Sequence, residues 1–175
     1  DKDNPAAGET ALFTHMYVKP MSAEQLYDSL IVATSAHKSG RSGWEQSERQ
    51  RQQWMRQFVT AFGNDMAEES NSFDGTIPQA LMMMNTNPKP NSDSPTLMSG
   101  AVSLEAGSHL TELMASPGSD VQKIQKLYMS ALTRMPTRAE LNGLQRFVKS
   151  SRDPKAAYQD IFWALLNSNE FILVH

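Results

Sequence analysis

The fold is decided by residues 153–175, DPKAAYQDIFWALLNSNEFILVH. This stretch predicts one strongly apolar helix followed by a short apolar tail. Asp153 suits the N-cap, and Pro154 suits the first helical turn, where a missing N–H breaks no helical hydrogen bond. The apolar face at three- and four-residue spacing comprises Ala157, Ile161, Ala164 and Leu165, and it is widened by Tyr158, Phe162, Trp163 and Leu166. Such a helix is typical of the centre of a bundle that other helices surround.

Upstream, four helix starts carry the capping-box pattern of Ser or Thr followed three residues later by Gln or Glu. The pairs are Ser22 with Gln25, Thr76 with Gln79, Ser119 with Gln122, and Thr137 with Glu140. A long polar helix is expected from about Glu45 or Ser47 to Phe62. The stretch 97–115 is weakly helical, and we expect Gly100 and Gly107 to interrupt it.

No stretch alternates polar and apolar residues for long, and β-hairpin turn signals are missing. We therefore predict an all-α fold, an irregular multi-helix bundle around the buried C-terminal helix, with an extended N-terminal lead and one long polar loop.

The domain organisation follows from where polar, proline-containing segments interrupt the helices. We expect residues 1–19 to be a flexible or extended lead and residues 20–175 to be one helical domain. An alternative divides that domain into subdomains 20–86 and 97–175, joined by a disordered loop at 87–96. This loop holds three prolines among polar residues that cannot build a core. The polar opening DKDNPAAGET suggests a piece of a longer protein.

Composition excludes several kinds of site. The chain has 175 residues and no cysteine, which excludes disulfides, cysteine-ligated zinc, iron–sulfur clusters and covalent c-type haem within it. The acidic stretch 65–74 lacks the ligand spacing of an EF-hand. None of the four histidines belongs to an HExxH motif; they are His15, His37, His109 and His175. No run of about 18 apolar residues occurs, so no membrane span is expected. We predict no catalytic, cofactor-binding or metal-binding residue.

Charge is unevenly distributed along a chain whose net charge is −3. Residues 38–62 carry five basic and two acidic residues, whereas residues 63–120 carry one basic and eight acidic residues. Residues 121–175 carry eight basic and four acidic residues. The basic helix at Ser47 to Phe62 is a candidate for nucleic-acid binding. We favour the alternative that acidic and basic surfaces face each other or a partner domain, with no nucleic acid bound.

Four segments together carry a family resemblance: KPMSAEQLYDSL, DGTIPQALMMMN, YMSALTRMPTRAEL and DIFWALLNSNEFILVH. In this order they resemble the planctomycete C-terminal domain of unknown function (family 1553 of such domains). The departure from the family pattern lies at Asn87 to Ser94. Family members occur in large exported proteins that often carry a cytochrome-c-like domain. The resemblance therefore implies an extracytoplasmic location, periplasmic or at the cell surface, and a multidomain parent.

The resemblance identifies motif residues in this sequence, but it implies no set of catalytic residues. These motif residues, of unknown role, are Gln79, Asn85, Arg134, Glu140, Asn167 and Phe171. Read from the sequence alone, Gln79 and Glu140 belong to caps, and Arg134 lies near a helix C-terminus, where a cation is favoured. Asn167 suits the C-terminal end of a helix.

Three hypotheses about function follow. The preferred one is a non-catalytic docking or scaffold domain that binds other domains of its parent, among them a cytochrome-c-like one. The second is part of an enzyme acting on a polysaccharide or similar substrate, with a site shared with N-terminal domains and lined by Gln79, Arg134 and Asn167. The third is the nucleic-acid interaction. Ligand and oligomeric state do not follow from the sequence.

Overall fold

The computed structural model describes residues 19–62, 82–84 and 96–174. Its helices are α1 (Ala23–Thr34), α2 (Trp44–Phe62), α3 (Leu97–Ala101), α4 (His109–Ala115), α5 (Asp120–Leu132), α6 (Arg138–Ser150), α7 (Pro154–Leu166) and α8 (Asn169–Ile172). A 3-10 turn, Ala36–Lys38, follows α1, and residues 82–84 are helical. Two strands of two residues each, β1 (Lys19–Pro20) and β2 (Leu173–Val174), form an antiparallel pair. The prediction of an all-α multi-helix fold is confirmed.

Three of the four predicted capping boxes are present. At Ser22, Ser119 and Thr137 the hydroxyl accepts the N–H of the residue three positions later, whose side chain accepts the cap N–H in return. The fourth, at Thr76 and Gln79, lies outside the described residues. So do most of the lead 1–19 and of the loop 87–96, and the division into two subdomains stays a prediction.

Helix α7 is one centre of the core, as its apolar sequence predicts. It packs against α4, α5, α6 and α8, and the Phe162 and Leu166 side chains are fully buried. Asp153 accepts the N–H of Lys155 through Oδ1 at 2.9 Å, which confirms the predicted N-cap. Ala164 was expected on the buried face but is exposed. That expectation was wrong because the buried arc centres on Tyr158 and Leu165, and Ala164 lies just beyond its edge.

Helix α1 is a second centre, which the sequence did not single out. It packs against α2, α3, α4 and α5. Its Tyr27 ring lies 5.8 Å from the ring of Phe58 on α2, and the Tyr27 hydroxyl donates to the carbonyl O of Arg51. Burial of two aromatic side chains at this contact joins the long polar helix to the core.

Gly100 does not interrupt the chain as expected, because it lies inside α3 and is buried. A Cβ at this position would lie 2.8 Å from Cη2 of Trp54 and 3.1 Å from the carbonyl O of Ala36. Gly100 therefore permits a close approach of helices. Gly107, in contrast, does separate α3 from α4, and its φ of +86° is a conformation that favours glycine.

Both ends of the described chain meet in the strand pair. Lys19 pairs with Val174 and Pro20 with Leu173. The N–H of Met21 then donates to the carbonyl O of Ile172 at 3.1 Å. This pairing sets α8 beside the start of α1.

Candidate functional site

Two of the described motif residues, Arg134 and Glu140, meet at one corner of the fold, where three helix ends come together. Helix α5 ends at Leu132, and Thr133 turns the chain with a φ of +54°. The chain then passes through Arg134 to Thr137, which caps α6. Helix α8, which packs on α5, brings Glu170 to the same place. We call the cluster of Tyr128, Arg134, Glu140 and Glu170 the Arg134 corner.

Arg134 binds both carboxylates of this corner. Its Nε donates to Oε1 of Glu170 at 2.5 Å, and its Nη2 donates to Oε2 of the same residue at 2.8 Å. Nη2 also lies 2.8 Å from Oε1 of Glu140, and Nη1 donates to the Oε2 at 3.1 Å. A further bond joins Nη1 to the carbonyl O of Met135 at 3.2 Å. All three guanidinium nitrogens are thus engaged in charge-assisted or backbone hydrogen bonds.

The aromatic ring of Tyr128 covers one face of the same guanidinium. The Cζ atom of Arg134 lies 5.2 Å from the ring centroid, within the range of a cation–π interaction. The ring itself is buried, and its burial raises the pKa of Tyr128 above the usual value. The tyrosine therefore stays neutral and acts as an apolar cover for the cation.

The electrostatics of the corner fix its charges at neutral pH. Hydrogen bonds from Arg134, and then from the backbone N–H of Thr137, lower the pKa of Glu140 to about 2. The two carboxylates in turn raise the pKa of Arg134 above its usual range. General acid–base catalysis needs a group whose pKa lies near the working pH. Glu140 and Arg134 do not meet that condition, and their hydrogen bonds join helix ends.

Two further motif residues serve the neighbouring helix ends. The Nδ2 of Asn167 donates to the carbonyl O of Trp163 at 2.9 Å, which closes the last turn of α7 as predicted for a helix exit. Phe171 is 4% exposed, and its N–H donates to Oγ of Ser168, the N-cap of α8. The motif residues Gln79 and Asn85 lie outside the described residues.

Sequence reasoning missed Glu170 and Tyr128 as partners of Arg134. It treated Arg134 as a cation at a helix C-terminus, and it found Glu140 only as a cap. Glu170 lies 36 residues further along the chain, so no local spacing could reveal it. The available signal was its position beside Phe171 in the last motif.

Elsewhere among the described residues, three buried polar atoms have no hydrogen-bond partner: Nδ1 of His37, Nε2 of His109 and Nε1 of Trp163. Burial lowers the pKa of both His37 and His109, so both imidazoles are neutral at pH 7. His109 packs its ring 5.9 Å from that of Phe162. Across the described part of the chain, no three His, Asp or Glu side chains are grouped to hold a metal ion.

Comparison with known proteins gives one match. A family model described as PSD1, protein of unknown function (DUF1553), matches residues 1–148. The matched range contains three of the four segments quoted above and stops before the last, at 160–175. No curated protein and no solved structure matches the chain. In the described ranges, every helix is too short or too polar to cross a bilayer.

Proposed function

This chain belongs to the PSD1 family (DUF1553), and from that premise we propose that it is a non-catalytic helical docking domain of a larger exported protein. The observation that carries the proposal is the Arg134 corner. Motif residues from two parts of the sequence meet there in a closed set of ion pairs that joins the ends of α5, α6 and α8. Side chains that bind each other in this way hold the helix ends in a fixed arrangement. A docking domain requires such a fixed surface.

The chemistry of the described motif residues supports this proposal. Arg134 uses all its nitrogens within the fold, and Glu140 is bound by Arg134 and by its own helix cap. Asn167 closes a helix, and Phe171 is buried. A binding or reactive site would need polar groups with hydrogen-bonding capacity left for a ligand.

The proposed partners are other domains of the same parent, among them a cytochrome-c-like domain. The proposed location is extracytoplasmic, either periplasmic or at the cell surface. Both proposals come from the family resemblance in the sequence. The uneven charge distribution is consistent with them, because complementary charge commonly orients docking surfaces.

The alternative of a polysaccharide-acting enzyme required Gln79, Arg134 and Asn167 to line a polar pocket. Two of these three side chains are engaged in structural bonds, and the third lies outside the described residues. No observation therefore favours this alternative over docking.

Calorimetric titration of the 175-residue chain with each remaining domain of its parent tests the docking proposal. We expect saturable binding to at least one domain with a Kd of about 1 mM or tighter, because a short linker supplies an effective concentration in that range. The proposal is refuted if every parent domain fails to bind at about 1 mM.

A further inference from the structure

The solvent-facing side of α6 carries a row of three basic side chains and one asparagine. Arg138, Asn142, Arg146 and Lys149 are all exposed and are separated by four, four and three residues. At about 100° per residue, this spacing places them within an arc of roughly 80° on one helix face. The row is about 16 Å long at 1.5 Å per residue. We call these four residues the α6 stripe.

The cations of the α6 stripe are not neutralised by the rest of the described chain. The ion pairs among described residues use Arg49, Arg51 and Arg134, but no member of the stripe. Within the stripe, Arg146 donates only to the backbone carbonyl of Asn142. The single acidic residue of α6, Glu140, is bound to Arg134 at another side of the helix.

The immediate surroundings extend this positive surface. Arg152 and Lys155 are exposed just beyond the end of α6. The nearest acidic residue in sequence, Asp153, accepts a backbone hydrogen bond as the N-cap of α7. Among the described residues, the stripe therefore presents three positive charges on one helix that form no ion pair.

We propose that the α6 stripe is a docking surface for a short acidic polypeptide segment. This inference rests on the proposed docking function and specifies the surface and the partner's chemistry. Three cations over about 16 Å are matched by about three carboxylates on eleven residues of helix or on five residues of extended chain. Three such ion pairs neutralise the cations of the stripe and leave no unpaired charge on the stripe or on the bound segment.

A nucleic acid fits the same stripe less well. Duplex DNA carries one charge per about 1.7 Å with both strands counted, so about nine phosphates lie within the length of the stripe against three cations. The charge balance therefore favours a short acidic polypeptide.

The test uses the full 175-residue chain and a fluorescently labelled peptide of about twelve residues that carries three glutamates at four-residue spacing, a length that spans the stripe as a helix. Anisotropy is measured at low and at physiological salt with three proteins. They are the wild type, the stripe variant R138Q/R146Q/K149Q, and the control variant R49Q/R56Q/K126Q, which loses the same charge on α2 and α5. A chemical-denaturation curve checks that each variant is folded.

We expect the wild type to bind the peptide in a salt-dependent manner. The stripe variant should lose about tenfold in affinity, since each exposed ion pair contributes up to about fivefold. The control should stay within about twofold. Equal losses in both variants, absence of binding, or tighter binding of a DNA duplex of matching length would each overturn the proposal.

A second measurement separates this inference from the proposed function. If a parent domain binds the wild type and the stripe variant equally well, the α6 stripe is not the docking surface, although docking itself stands. If no parent domain binds, the docking function fails even where the glutamate peptide binds. Selective loss of parent-domain binding in the stripe variant supports both the docking function and the α6 stripe as its surface.

Discussion

Replacing Arg134 by Met tests whether the Arg134 corner stabilises the fold. The substitution keeps an unbranched apolar chain that helps to fill the space, but it removes the guanidinium. Glu140 and Glu170 then face each other without a cation between them, and Tyr128 loses its cation–π partner. We expect a folded but clearly less stable protein.

The size of the expected loss in stability follows from how far the three charged side chains are exposed to solvent. The side chains of Arg134 and Glu140 are 35% and 32% exposed, and that of Glu170 is 37% exposed, so solvent screens them in part. Two bidentate pairs at this exposure contribute about 1 kcal/mol each, near the upper end for solvent-exposed pairs. The cation–π contact adds about 0.5 kcal/mol. We therefore expect a loss of about 2–3 kcal/mol, or roughly 5–10 °C in Tm.

Urea unfolding followed by circular dichroism measures this loss through linear extrapolation. The matched control is Arg138→Met, which removes an exposed arginine from the α6 stripe, where no ion pair is lost; its effect should be within about 0.5 kcal/mol. A double-mutant cycle with Glu170→Gln then isolates the coupling between Arg134 and Glu170. A loss below about 0.5 kcal/mol for Arg134→Met, or an equal loss for the control, contradicts the reasoning.

Three further predictions follow from individual contacts. Because hydrogen bonds from Arg134 lower the pKa of Glu140 from 4.5 to about 2, the stability this adds is complete above about pH 4.5 and is lost as the pH falls towards 2. NMR titration should show that pKa, and Arg134→Met should raise it part of the way to the ordinary value, because the hydrogen bond from the Thr137 N–H remains; an unshifted pKa in the wild type would contradict the prediction. Gly100→Ala should destabilise by about 1–3 kcal/mol through overpacking, whereas Gly143→Ala, in a helix position with nothing within 4 Å of the added Cβ, should stabilise by about 0.5–1 kcal/mol. Thermal melts of the two variants decide this, and a change of the same sign in both would count against it. Phe162→Ala should cost about 3–5 kcal/mol in denaturant unfolding because the ring is fully buried in the core, and a loss below about 1 kcal/mol would place it outside the core.

Helix positions could be predicted from the sequence because their signals are local. Ser119 with Gln122 and Thr137 with Glu140 satisfy each other's backbone groups within a single turn, so spacing alone identifies them. Asp153 and Pro154 identify the start of α7 for the same reason. The apolar stripe of α7 was also clear, except at its edge, where a small side chain such as Ala164 fits either environment.

Long-range contacts could not be predicted, because they depend on how the helices pack together. Gly100 reads as a helix breaker in sequence, and only the approach of Trp54 shows that it is a packing position. The Arg134 corner requires Glu170 to arrive on α8, after the two intervening helices α6 and α7. The pairing of one guanidinium with two carboxylates at that corner is likewise a property of the assembled fold.

The antiparallel pairing of Lys19 with Val174 also has a mechanical consequence. A force transmitted along a longer polypeptide would enter and leave this domain through neighbouring residues. It would load the two strands in an unzipping geometry, in which hydrogen bonds break one after another at low force. The β1–β2 pair would therefore open first under tension, while the helices stay folded.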